Sequence, residues 1–221
     1  SVVNHFMATE TQNPATATLD YFSVFGLPRK LNLDESALQR EFYRLSREFH
    51  PDKFARSPAT EQQAAMEKSS RLNDAYRTLK EPIARTQHLL ELEGVKLEEQ
   101  SSAATQAARV SGNEKKQVVP PELLEEVFEL NMQLQEMRMN KEMGESDPSI
   151  VRDLTTAKEK FEASLDATTR ELQSIWNHWD AVVDNPANEQ RNSIRDKMVD
   201  LLNRRSYIRN LVRDVNNALE S

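Results

Sequence analysis

The sequence predicts an all-α protein built from two helical units. Only four glycines occur in 221 residues, and long stretches are dominated by Ala, Glu, Gln, Lys, Leu and Arg, which favour helices over sheets. Apolar residues also recur at spacings of three and four between proline and glycine breakers. A chain of this length exceeds the usual single domain, so two domains, or one domain with a helical arm, are expected.

Residues 1–18 are polar and read as a disordered tail, with Ser1 to Phe6 ahead of Met7 as an addition or upstream read-through. The first informative stretch begins at Asp34, which stands where an N-cap belongs. Leu38, Phe42, Leu45 and Phe49 then form one apolar helical face. Arg40, Arg44 and Arg47 share another face. Pro51 ends this helix, so His50, Pro51 and Asp52 fall in the connection that follows. Ser57 and Pro58 read as the N-cap and first position of a second helix. Its apolar positions Ala65, Leu72, Tyr76 and Leu79 keep helical spacing up to Pro82. Two helices of similar length joined by a short loop pack antiparallel and leave the loop exposed at one end. This first unit spans 19–82.

Residues 83–119 read as a connecting helix followed by a flexible linker. From Glu98 to Val119 the chain is polar and small-residue-rich, with no apolar period. A linker of that length leaves the relative placement of the two units loosely specified. The second unit, 120–221, holds three helices. The first runs from about Glu122 to Met143, with Leu123, Val127, Leu130, Leu134 and Met137 along one side and Gly144 as its stop. Asp147 and Pro148 are an N-cap and first-position pair for a long second helix. Its seam is Ile150, Leu154, Ala157, Phe161, Leu165, Leu172, Ile175, Trp179 and Val182. Asn185 and Pro186 read as the start of the third, with seam Ile194, Met198, Leu201, Ile208, Val212, Val215 and Leu219. Three seams meeting make an antiparallel three-helix bundle or coiled-coil arm. Trp176, His178 and Trp179 read as structural.

Composition excludes several functions. The formal charge is −7, and a mildly basic first unit precedes an acidic remainder. That balance argues against nucleic acid, which demands a sustained basic surface. There is no cysteine, hence no disulfide, thiolate nucleophile or thiolate metal ligand. No apolar run approaches the roughly 20 residues of a membrane span, and no Walker-type phosphate loop, triad or metal-binding spacing occurs. The expectations are no catalysis, no cofactor, no metal and no membrane, with proteins as partners.

The pattern helix, His50-Pro51-Asp52-Lys53-Phe54, helix, then Leu72-Asn73-Asp74-Ala75-Tyr76, resembles the J-domain of DnaJ-type co-chaperones. The opening Asp20-Tyr21-Phe22-Ser23-Val24-Phe25-Gly26-Leu27 and the continuation Leu79 to Gly94 are similar to the HscB subfamily. The resemblance implies that the arginine helix docks on an acidic surface of a DnaK/HscA-type ATPase chaperone while His50, Pro51 and Asp52, with Lys53 beside them, stimulate ATP hydrolysis. It also implies that the bundle delivers an iron-sulfur scaffold protein of the IscU type. With no cysteine for a zinc-thiolate extension, the family likeness favours a bacterial cytoplasmic protein.

On the bundle, Leu124 and Phe128 lie one turn apart beside the first seam, and Tyr207 precedes seam residue Ile208 on the last helix. By resemblance these three match the positions at which HscB proteins hold the scaffold, and Glu129 and Glu136 match acidic members of that patch. Met132 departs from it, standing where an acidic residue is common. Burial inside the bundle is the competing account for Leu124, Phe128 and Tyr207. A J-domain co-chaperone with another client, or a coiled-coil adaptor, are the alternative functions.

Overall fold

The structure, a computed structural model, describes residues 18–97 and 119–221. The sequence readings of a disordered tail and a flexible linker therefore fall mainly outside the described residues. Among those described, every regular element is helical. Helix α1 is Tyr21–Val24, α2 is Glu35–Glu48, α3 is Ala59–Lys80 and α4 is Pro82–Leu92. After these come α5, Leu124–Glu142, α6, Pro148–Val182, and α7, Glu189–Glu220. Short 3-10 turns cover Pro51–Phe54 and Pro121–Leu123.

The capping residues set most boundaries. Asp34 accepts the Ala37 N–H at 3.1 Å, and Asp147 accepts the Ser149 N–H at 2.9 Å with Pro148 at the first position, as the sequence predicts. Gly144, at φ +72°, supplies the left-handed residue that stops α5. Two predicted starts shift. Pro58, not Ser57, is the N-cap of α3, without any side-chain capping bond. Asn188, not Asn185, caps α7 by accepting the Gln190 N–H at 2.9 Å. Asn185 instead lies in the α6–α7 turn, where its N–H donates to the Val182 carbonyl.

Helices α6 and α7 form a long antiparallel hairpin, but α5 covers only part of it. A 19-residue helix spans about 29 Å, whereas the 35 residues of α6 span about 52 Å at 1.5 Å per residue. The distal half is the three-helix bundle, whose core joins Leu123, Val127, Leu130 and Leu134 to Ile150, Leu154, Phe161, Ile208, Leu211 and Val215. The proximal half packs on the N-terminal unit. Leu172, Ile175, Trp176, Trp179, Met198, Leu201 and Leu202 share one core with Phe22, Phe25, Leu31, Leu38, Leu72, Leu79, Leu89 and Leu90. Thus the single three-helix seam read from the sequence is two cores, and the loose placement inferred from linker length is corrected by this shared one.

Polar contacts fix the junction. The Asp180 carboxylate on α6 accepts the backbone N–H groups of Leu31 and Asn32 at 2.7 and 2.9 Å. The Asn32 side-chain amide donates to Asn177 and Asp180. Trp176 donates its indole N–H to the buried Thr86 hydroxyl at 3.1 Å, and Arg191 pairs with Glu93 at 2.7 Å. Arg85, 1% exposed, donates to the carbonyls of Leu79 at 2.6 Å and Leu31 at 2.8 Å. Burial lowers its pKa, partly opposed by Glu35.

His88 ties α1 to α4. Its Nε2 accepts the Tyr21 N–H at 3.0 Å, and the ring stacks on Tyr21 with centroids 4.5 Å apart. Only the neutral ring offers that lone pair. Burial lowers its pKa first, with Asp20 raising it and Arg29 lowering it. A depressed histidine contributes stability that is present in full above its unfolded pKa, near 6.5, and is lost as pH falls through the folded value. Melting temperature followed from pH 8 to pH 5 should therefore decline more steeply for the unaltered protein than for His88→Gln.

Candidate functional site

The free end of the α2–α3 hairpin is built from side chains that stiffen its base and expose its tip. Phe42 stacks on Tyr76 at 4.1 Å with ring planes 6° apart, and the Lys68 ammonium sits 3.6 Å over the Phe49 ring. Beyond them the chain leaves α2 after Glu48 and enters the 3-10 turn at Pro51. His50 caps that turn, its Nδ1 accepting the Asp52 N–H at 3.2 Å. An accepting Nδ1 places the ring proton on Nε2. The His50 side chain is 57% exposed and that of Asp52 92% exposed; Lys53 is exposed beside them.

Gln62 is a member of this end that sequence reasoning missed. Its amide donates to the carbonyls of Ala55 and Ser57 at 3.1 and 2.9 Å, tying the loop back onto α3. Nothing in the spacing marks a glutamine one turn into a helix as a loop tether, so no signal of periodicity reveals it.

Arg40, Arg44 and Arg47 are all exposed along α2, with exposed Tyr43 beside them. Their charges are not equally available. Arg44 contacts Glu41 at 2.7 Å and Glu48 at 3.1 Å; the hydrogen bond to Glu41 raises the arginine pKa and lowers that of the glutamate. Among the described residues no ion pair engages Arg40 or Arg47, so these two dominate the outward positive field.

The second candidate surface is on α5. Leu124 and Phe128 are 55% and 69% exposed, which decides against burial for both. Glu129, Met132 and Glu136 are exposed on the same helix. Tyr207 differs, being half-buried and packed against the distal core, with its hydroxyl pKa raised chiefly by burial. The packing account of Tyr207 thus holds in part. Trp176 and Trp179 are buried between the two units, as structural residues should be, whereas His178 is exposed. Among the described residues no group of three or more His, Cys, Asp or Glu side chains is placed to hold a metal. No helix among them is long and apolar enough to cross a membrane.

Comparison with known proteins agrees with this geometry. A model of the DnaJ domain matches residues 20–88, which take in α1 to α3, the His-Pro-Asp turn and the first part of α4. A curated relative, the co-chaperone protein HscB homolog of Azoarcus sp. (strain BH72), is 47% identical over 76 residues. That match spans 34% of this chain and 43% of the relative. Among solved structures, chaperone HscB from Vibrio cholerae aligns with TM-score 0.55 and 26% identity over 91% of this chain and 98% of that one. Human co-chaperone protein HscB shares the fold, with TM-score 0.58 at 20% identity over 98% of this chain and 91% of that one. The chain thus matches the DnaJ domain model at residues 20–88, and with its helical C-terminal unit it is similar to HscB co-chaperones over most of its length.

Proposed function

We propose that this protein is a co-chaperone that stimulates the ATPase of a DnaK/HscA-type chaperone and brings it an iron-sulfur scaffold client of the IscU type. The observation that carries the reading is the exposed His50-Pro51-Asp52 turn, held rigidly at the free end of a hairpin whose flank presents Arg40 and Arg47. His50, Pro51, Asp52 and Lys53 act on the ATPase domain. Arg40, Arg44 and Arg47 attract and orient it through long-range charge, which raises association rate and weakens with salt. The protein itself makes or breaks no bond; it acts in the cytoplasm by bringing two partners together.

The client half rests on Leu124 and Phe128 with Glu129 and Glu136. Leu124 and Phe128 are large apolar side chains left in solvent with acidic neighbours, the composition of a small protein-binding patch. Tyr207 contributes the exposed part of its ring. Phe128→Ala should weaken scaffold binding by about 2 kcal/mol, in the range of an interface anchor, and leave the melting temperature unchanged because the ring touches no core. Calorimetric titration with scaffold protein, alongside thermal melting, tests this. Unaltered affinity would point to another client. Tyr207→Ala is the less clean variant, because its buried portion adds a stability loss.

A further inference from the structure

The exposed apolar surface of α5 does not stop at the patch described above. Met139 and Met143 are 53% and 63% exposed, and Met132 is 56% exposed. Wound at 100° per residue, Leu124, Phe128, Met132, Met139 and Met143 fall within an arc of roughly 100°. The stripe runs the whole length of the helix, about 28 Å from Leu124 to Met143 at 1.5 Å per residue. Its other face is spent on the distal core through Val127, Leu130 and Leu134, so the stripe belongs to solvent. Unbranched thioether side chains on such a surface adapt to the shape of what they meet.

Charge says what that is. Glu125, Glu129 and Glu136 flank one side of the stripe, and among the described residues no ion pair within 4 Å engages any of them. Beside Glu129, a groove of about 260 Å³ between α5 and α6 is lined by Glu126, Glu129, Asp153, Lys160 and apolar Leu130 and Phe161. Lys160 is already committed to Glu126 at 2.9 Å, so the groove keeps acidic character. A second copy of this chain would bring the same glutamates against themselves, and the protein carries a net charge of −7. A basic partner meets no such repulsion.

We propose that the full α5 stripe, Leu124 to Met143, is the docking track for an amphipathic helix with basic flanks, Met139 and Met143 extending the surface well past the patch around Phe128. The proposal rests on the client reading only for the identity of the protein that carries such a helix. A partner helix of similar length lays its apolar anchors at i, i+3, i+4 and i+7 along the stripe and sets lysine or arginine toward Glu125, Glu129, Glu136 and Asp153.

The test uses the full chain carrying 13C-methyl methionine, whose seven methionines include Met66 on α3, 57% exposed and far from the stripe in sequence. The probes are a synthetic 18-residue helix with leucine on one face and lysine elsewhere, its counterpart with glutamate for lysine, and an IscU-type scaffold protein. The lysine helix should shift Met132, Met139 and Met143 together while leaving Met66 unmoved, and the glutamate helix should shift none. The double change Met139→Glu with Met143→Glu should reduce lysine-helix affinity at least tenfold at unchanged melting temperature. Shifts that spare Met139 and Met143, that include Met66 equally, or that arise with protein concentration alone would overturn the proposal. Scaffold binding that moves Met132 but not Met139 would overturn the extension and keep the proposed client. Lysine-helix binding without scaffold binding would keep the track and sink that client.

Discussion

His50→Gln is expected to reduce stimulation of the chaperone ATPase to the chaperone's basal rate while the protein remains folded. The loss follows from what the imidazole does at the tip. Its Nδ1 accepts the Asp52 N–H, which fixes the ring and leaves the Nε2 proton facing outward as a donor on a rigid plane. A glutamine can satisfy the same N–H, but it has one more rotatable bond and no second ring nitrogen, so the outward donor is no longer held in place. The fold should hardly respond. His50 is more than half exposed and makes a local capping bond, whose loss costs at most about 1 kcal/mol. Single-turnover hydrolysis by a DnaK-type chaperone, measured beside the circular dichroism of the variant, separates the two effects. A folded variant with full stimulation would remove His50 from the trigger.

Arg85→Ala is expected to produce the largest loss of stability of any single change at the junction. The guanidinium lies at 1% exposure and holds the Leu79 carbonyl at the end of α3 and the Leu31 carbonyl ahead of α2. It also reaches Glu35 at 3.4 Å, and its centre lies 5.2 Å from the Trp176 ring. Truncation leaves two buried carbonyls without donors and opens a void beside the indole, together worth about 3–5 kcal/mol. For a protein of this size each kcal/mol lowers Tm by roughly 2–4 °C, so a fall on the order of 10 °C is expected. Arg85→Met fills part of the volume without supplying a donor and should recover only part of the loss. Thermal melting of both variants checks this; an Arg85→Ala protein as stable as the original would mean that the N-terminal unit does not depend on these bonds.

The sequence made the apolar faces legible and left the junction hidden, for physical reasons visible in particular residues. Leu38, Leu72, Leu130, Leu154 and Val215 keep helical spacing and are buried, because amphipathic period is set by the helix itself. Asp147 and Gly144 are local signals and came through for the same reason. Leu172, Trp179 and Met198 were also correctly read as buried, yet assigned to the wrong neighbour. Periodicity reports that a face is covered, not by which element. Helix length held the missing information, since α5 is too short to cover the hairpin it packs on.

Polar junction residues were less legible still. Asp180 and Arg85 look like solvated charges in a one-dimensional pattern, and only the tertiary fold sets them against Leu31 and Asn32. At the hairpin tip the reverse holds. His50, Pro51 and Asp52 are contiguous, so the turn was visible at once, while Gln62, which tethers it, was not. On α5 the exposure of Leu124 and Phe128 follows from their off-seam position, whereas Tyr207 sits at the seam's edge and is partly buried.

The most direct test of the account as a whole is the ATPase rate of a DnaK/HscA-type chaperone with this protein added, in the absence and then in the presence of an IscU-type scaffold. The account predicts stimulation by the protein alone, weakening as salt rises, and a further increase when scaffold is present. A rate unchanged from basal under both conditions, at concentrations where the protein is folded, would contradict it.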